Sequence, residues 1–239
     1  VEEPLPMDDY DGLARLCAAT DLAITGGELN NQGLPEFQTM LEKGCFDWYQ
    51  PDAVFTGGIA ETWEIIRRVG TAGAVYSPHT ALDAVIGGVN DWLADGVGEG
   101  EVSVLHPSPG SDAGQGRLVE LKRPVKLNTL SQRLKSYLGL KTVRTASPAE
   151  KNVIRTVALC AGAGSSAFEG IVADCYLTGE MSHHTVMAAI ANGSHVILCE
   201  HTNTERGYLP AFRKILGKAL GDGVDIIVSK RDSDPINFN

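Results

Sequence analysis

Short apolar runs alternate with helical periods along this chain, and that alternation leaves few architectures open. Leu22–Thr25, Asp52–Phe55 and Ala72–Tyr76 read as strands, ending in Gly26-Gly27-Glu28, Thr56-Gly57-Gly58 and Ser77-Pro78-His79-Thr80. Between them, Leu34–Lys43 has a helical pattern, and Glu61–Val69 sets Trp63, Ile65, Ile66 and Val69 on one buried side. Strand–helix alternation at this spacing predicts an α/β fold with a mixed or mainly parallel sheet, flanking helices and right-handed crossovers. The N-terminal part is a βαβαβ unit in this reading. Ligands gather at the carboxyl ends of such strands, and Glu28, Asp52 and His79 all fall there.

The pattern continues with a helix over Val85–Leu93, starting just after Asp83. From Gly96 to Gly116 the composition turns to Gly, Ser, Pro and acid, the mark of a surface connection. This gives an N-terminal portion 1–95, a linker 96–116 and a C-terminal portion 117–239. The C-terminal portion reads as strand Gly116–Glu120, helix Leu127–Leu138 capped by Asn128 or Thr129, and strand Val153–Leu159. Helix Thr185–Ala191, strand His195–Cys199, helix Tyr208–Leu220 and strand Asp225–Ser229 complete it.

Two of these runs end on concentrated chemistry. Ala173–Thr178 leads into Gly179-Glu180-Met181-Ser182-His183-His184, and His195–Cys199 leads into Glu200-His201-Thr202-Asn203-Thr204-Glu205. Imidazoles and carboxylates at the ends of buried strands are costly to desolvate unless something binds them. A divalent metal is the usual occupant, because neutral imidazole and carboxylate oxygen are its natural ligands. His201 and Glu205 are four apart and share one face if that stretch is helical.

Composition excludes several classes. The 239 residues suit one large or two small domains, and a net charge of −10 argues against direct nucleic-acid or anionic-membrane binding. The basic run Arg117–Lys135 is diluted by Leu118, Glu120 and Val125 and reads as a solvated face. Five cysteines without a CxxC pair imply a reducing compartment and no zinc finger. No membrane-length apolar run or signal peptide is present, so the expected location is the cytoplasm, with the nucleus as a second address. A chain beginning on Val1 rather than Met reads as a fragment or a processed product.

From about Gly73 onward, long ordered motifs carry a family resemblance. They are Tyr76-Ser-Pro-His-Thr-Ala-Leu-Asp-Ala84, Gly87-Gly-Val-Asn-Asp-Trp-Leu-Ala94, Leu159-Cys-Ala-Gly-Ala-Gly-Ser-Ser166, Leu177-Thr-Gly-Glu-Met-Ser-His-His184 and Glu200-His-Thr-Asn-Thr-Glu-Arg-Gly207. This part resembles the GTP cyclohydrolase 1 type 2-like family, the dinuclear-metal proteins related to the yeast Ngg-interacting factor. The resemblance implies that Asp83, His201 and Glu205 are metal ligands for zinc, manganese or iron. It implies that His79, Glu180, His183 and His184 line the same cavity as catalytic groups. It further implies a metal-dependent hydrolase acting on a small, nucleotide-like molecule, in a homo-oligomer, with the metal cleft between the two portions. For Glu180, His183 and His184, helix capping and support of the metal ligands stand as an equal reading.

Residues 1–80 depart from that family, whose N-terminal strand should end in a His-His-Pro or Tyr-His-Pro motif. Here the strand ends in Phe55-Thr56-Gly57-Gly58. Leu22–Thr80 instead resembles the late barrel strands of the enolase superfamily, in its mandelate-racemase-like branch. Glu28 matches that family's third metal carboxylate, and Asp52 with His79 matches its proton-handling dyad. Tyr76-Ser-Pro-His-Thr80 fits both families, so the chain reads as a chimera joined at about 73–80. Racemase or dehydratase chemistry needs two further acidic ligands from earlier barrel strands, which this length cannot supply. On this reading Asp52 is an inherited residue. A non-catalytic, transcription-linked interaction protein is the other alternative.

Weaker signals take structural readings. Cys160-Ala-Gly-Ala-Gly-Ser-Ser166 serves close packing rather than phosphate binding, and Cys160 lacks a neighbouring His to activate it. His106 and His195 are lone histidines satisfied locally.

Overall fold

Three parallel strands buried on both faces organise the C-terminal half of the molecule. The structure is a computed structural model and describes residues 1–52, 55–69, 78–108, 110–149 and 153–230. It divides into two compact units, Val1–Ala81 and Leu82–Asn239.

In the second unit, β3 (Gly100–Pro107), β4 (Gly114–Val125), β5 (Arg144–Ala146), β6 (Ile154–Cys160), β7 (Cys175–Thr178) and β8 (His195–Leu198) form one mixed sheet. Its order is β3-β4-β6-β7-β8-β5. The central β6, β7 and β8 run parallel, while β3, β4 and β5 pair antiparallel. Near-continuous apolar runs such as Cys175-Tyr-Leu-Thr178 and His195-Val-Ile-Leu198 suit a strand covered on both sides. One face packs Leu121, Leu130, Leu134, Val157, Leu159, Leu177 and Ile197 into the largest core. Each such buried aliphatic side chain contributes about 1.5–3 kcal/mol. The opposite face gathers Ala158, Ala167, Phe168 and Ala173, with Tyr176 and Met181 against them.

The helices of this unit are α5 (Val89–Asp95), α6 (Leu127–Leu138), α7 (His183–Ala191), α8 (His201–Glu205) and α9 (Leu209–Leu220), with α4 (His79–Ala84) crossing the division between the units. Ser182 caps α7 by accepting from the Thr185 N–H at 3.2 Å.

The first unit contains α1 (Tyr10–Ala19), β1 (Thr25–Gly26), α2 (Leu34–Lys43), β2 (Trp48–Tyr49) and α3 (Ile59–Val69). β1 and β2 pair in parallel around the α2 crossover. Its own core holds Leu13, Ile24, Phe37, Met40, Cys45, Phe46, Tyr49 and Ile65. Asp9 caps α1, accepting from the Gly12 N–H at 2.9 Å.

Several sequence expectations change here. The stretch 96–116, expected as a linker, carries all of β3 and the start of β4, because the Pro- and Gly-rich segment is only the hairpin turn between them. A two-residue strand stands at Trp48–Tyr49, just ahead of the expected Asp52–Phe55, in which Asp52 makes a single β-bridge. Ala53 and Val54 lie outside the described residues, as does the expected strand Ala72–Tyr76. Asp225–Ser229 forms no strand; Ile227 is exposed and the segment has no ladder partner among the described residues. Trp63, expected on the buried side of α3, is 63% exposed. α6 starts from Lys126, with no side-chain cap from Asn128 or Thr129.

Arg117 overturns the reading of its segment as a solvated face. It is 1% exposed on β4, donates to the Gly114 and Gly116 carbonyls at 2.7 and 2.9 Å, and pairs with Asp91 of α5. Lys122, Arg123, Lys126 and Arg133 do face solvent. No helix among the described residues is long and apolar enough to cross a membrane. No disulfide joins the five cysteines among the described residues.

Candidate metal centres

The parallel strands of the second unit end level. Cys160 pairs with Thr178, and Thr178 with Leu198, so the loops after β6, β7 and β8 leave one edge together. Those loops are laced by hydrogen bonds. The N–H groups of Gly179 and Glu180 both donate to the Gly162 carbonyl at 3.0 and 3.1 Å, and the Glu200 N–H donates to the Gly179 carbonyl at 3.0 Å. The Gly162 N–H reaches Thr204 Oγ1 at 2.9 Å, and Thr178 Oγ1 donates back to the Gly162 carbonyl at 3.0 Å.

On this platform His201 opens α8 between two carboxylates. Its Nδ1 meets Glu180 Oε1 in a short contact, and its Nε2 lies 3.2 Å from Glu205 Oε1, one turn along the helix. A carboxylate at Nδ1 favours the tautomer with its proton there and the lone pair on Nε2, the arrangement common to metal-binding histidines. Nε2 then faces the Glu205 oxygen, so that one cation could be shared by the two.

Gly162 keeps that space clear. A Cβ there would sit 2.5 Å from Glu205 Oε1 and 2.9 Å from His201 Nε2, and its φ of +62° is itself a glycine conformation. The donor set, imidazole nitrogen with carboxylate oxygen beside a notch that one methyl group would fill, fits a divalent metal.

Asp83, in α4, approaches the same edge. Its carbonyl accepts from Asn90 Nδ2 at 3.0 Å, while Asn90 Oδ1 accepts from the Ala161 N–H at 2.8 Å. Asn90 is fully buried and clips the Asp83 backbone to the end of β6. Sequence reasoning missed this role, although Asn90 stood inside a quoted motif. The Cys160 thiol beside them is pushed up to about 12 by burial first, then by the negative charge of Asp83, with a smaller contribution from Glu205. Both carboxylates therefore act on one thiol at the end of β6, and that thiol is no nucleophile near neutral pH.

His183 and His184 stand exposed at the start of α7, ring centroids 6.0 Å apart. His183 borders a groove of about 220 Å³ with Arg144, Met181 and Val186. His106 Nε2 bonds the Ala167 carbonyl at 2.9 Å, and His195 Nδ1 meets Ser147 Oγ at 3.0 Å, each a structural role.

The first unit holds a second cluster. Glu28 lies two residues past β1 and Asp52 three past β2, and His79 opens α4. His79 Nδ1 is 3.1 Å from Glu28 Oε1 and 3.1 Å from Asp52 Oδ2. One ligand atom from each residue falls within 4.8 Å of the other two, a geometry that could hold a metal ion.

Comparison with known proteins places these features. The family model described as Duf34/NIF3 (NGG1p interacting factor 3) matches residues 64–235, and an enolase C-terminal domain-like model matches residues 1–89. The NIF3 homologue of Schizosaccharomyces pombe is 45% identical over 174 residues, covering 68% of this chain and 63% of its own length. The NIF3-like protein 1 of Bos taurus is 32% identical, covering 74% of this chain and 72% of its own. The chain thus spans somewhat less than two thirds of the fission-yeast relative. Among solved structures, a hypothetical protein of Staphylococcus aureus superposes with a TM-score of 0.61 at 19% identity, covering 87% of this chain and 85% of that one, a likeness of fold. With one family model spanning its six-stranded sheet, the loops at its edge and most of its length, the chain belongs to the Duf34/NIF3 family.

Proposed function

We propose that the second unit is a metal-dependent hydrolytic centre for a small, nucleotide-like molecule, in a chain that associates with copies of itself. One observation carries this reading: His201 is bracketed by Glu180 on one ring nitrogen and Glu205 on the other, over the Gly162 notch. His201 Nε2, the Glu205 carboxylate and the Asp83 carboxylate would hold the ion. When bound, a divalent ion supplies a Lewis acid and a water acidic enough to ionise near neutral pH. Glu180, against Nδ1, orients the His201 ring so that Nε2 faces the Glu205 carboxylate. His183 and His184, just past Glu180 at the mouth of α7, are the groups to move protons to and from a substrate. The substrate class follows the GTP cyclohydrolase-like motifs.

Elemental analysis of purified protein beside Asp83→Ala, His201→Ala and Glu205→Gln tests the centre, with a hydrolysis screen on nucleoside triphosphates and light scattering for mass. The expected result is metal loss in all three variants and loss of any hydrolysis. Unchanged metal content in all three would reject the assignment.

A further inference from the structure

The geometry points to a second, independent binding site for a first-row divalent cation in the first unit, formed by Glu28, Asp52 and His79. The parallel register Gly26↔Tyr49 sets the two strand ends side by side, which brings the loops carrying Glu28 and Asp52 out at one level. Asp52 is fixed rather than draped: its carbonyl accepts from both the Thr56 N–H at 2.9 Å and Thr56 Oγ1 at 2.8 Å. Its side chain is fully buried, that of Glu28 is about a quarter exposed, and that of His79 is half exposed, which leaves a route for an ion.

Separations decide the chemistry. Ligand atoms about 2.1 Å from a common ion, at octahedral to tetrahedral angles, lie roughly 3.0–3.4 Å apart. The Nδ1 atom of His79 is 3.1 Å from each carboxylate oxygen, the length of such an edge on both sides. A ring N–H points in one direction and serves one acceptor well; a cation seated among the three atoms serves both carboxylates at once. Two carboxylates balance a divalent charge and suit manganese, and the imidazole adds a preference for iron or zinc over calcium or magnesium. This use does not call on the missing barrel strands, because no enediolate has to be stabilised.

The test is a titration of chelator-stripped, full-length protein with Mn²⁺, followed by calorimetry and by the electron paramagnetic resonance signal of the free ion. Glu28→Gln is expected to abolish one class of bound Mn²⁺ or weaken it at least ~10-fold, leaving the class removed by His201→Ala in place. His79→Gln, at a half-exposed position, should do the same and stands in if Glu28→Gln misfolds. An unchanged titration in folded Glu28→Gln and His79→Gln proteins overturns the proposal, as does wild-type protein whose Mn²⁺ binding is wholly lost in His201→Ala. Survival of only the Glu28-dependent class would instead overturn the hydrolytic centre of the second unit.

Discussion

Arg144 grips Glu200 by both carboxylate oxygens, Nε to Oε1 at 2.7 Å and Nη2 to Oε2 at 3.1 Å. Glu200 is the residue directly before His201, and its backbone sits at φ 66°, ψ 153°, a region almost confined to glycine. The ion pair thus clamps a strained residue whose geometry aims the imidazole. Truncation in Arg144→Ala should lower stability by about 1–2 kcal/mol, the cost of a half-exposed partner lost from a buried carboxylate. It should also weaken metal binding, while Arg144→Lys recovers only part of each effect. Urea unfolding and a metal titration on the same samples would check this; unaltered affinity in Arg144→Ala would show that the clamp does not position His201.

Gly162→Ala fills the notch between Glu205 and His201 and forces a side chain into a positive φ. The expected outcome is a stability loss of about 1–3 kcal/mol and a fall in bound metal larger than that of a neutral surface control. Metal retained at the wild-type level would mean that the ion sits away from Gly162.

Arg117→Ala strands the Asp91 carboxylate and the carbonyls that the guanidinium satisfies. The penalty should be about 3–5 kcal/mol, read from a lowered urea midpoint. Arg117→Lys should recover little, since one ammonium cannot replace the fork that reaches Asp91 and two β4 carbonyls at once. A loss below 1 kcal/mol in Arg117→Ala would contradict the buried-pair assignment.

The first unit carries its own pH dependence. Burial pushes the Glu36 carboxyl up, but hydrogen bonds from Tyr10, Asn30 and the backbone of Gln32 and Asn31 outweigh it and hold Glu36 below the ordinary 4.5. Its contribution to stability is therefore complete above that value and disappears as pH drops through the lower folded value. On the alkaline side, the hydrogen bond to Glu36 leads the causes that push Tyr10 up to about 12 from 10.0. A raised acid is stabilising below 10.0 and loses that contribution as pH rises through about 12. Glu36→Gln should flatten the acid limb of a stability–pH curve; an acid limb identical to wild type would remove Glu36 from the account.

The apolar runs that became β7 and β8 were legible because strands covered on both faces have nowhere to put polar side chains. The His201–Glu205 pairing was legible because helical periodicity is local. β3 was not, since a partly exposed edge strand alternates weakly and its Gly-Pro turn looks like a linker. Arg117 looked solvated because nothing in its own segment reveals that Asp91 waits 26 residues earlier. Asn90 meets Ala161 across 71 residues, and Arg144 meets Glu200 across 56. Contacts at that range are decided by the sheet order, which local pattern does not encode. The Glu28, Asp52 and His79 cluster lay between these cases: the strand-end rule placed all three, but their convergence on one nitrogen is a property of the folded unit.

The flush finish of Cys160, Thr178 and Leu198 has a consequence for how such a protein can change. Dropping a single residue from β7 would reverse which side each of its remaining groups faces and pull Glu180 away from His201. Extra length added after Glu205 would leave that alignment untouched. Variation in this lineage should therefore accumulate downstream of the imidazole, with the three-strand ladder acting as the ruler against which the reactive groups are set.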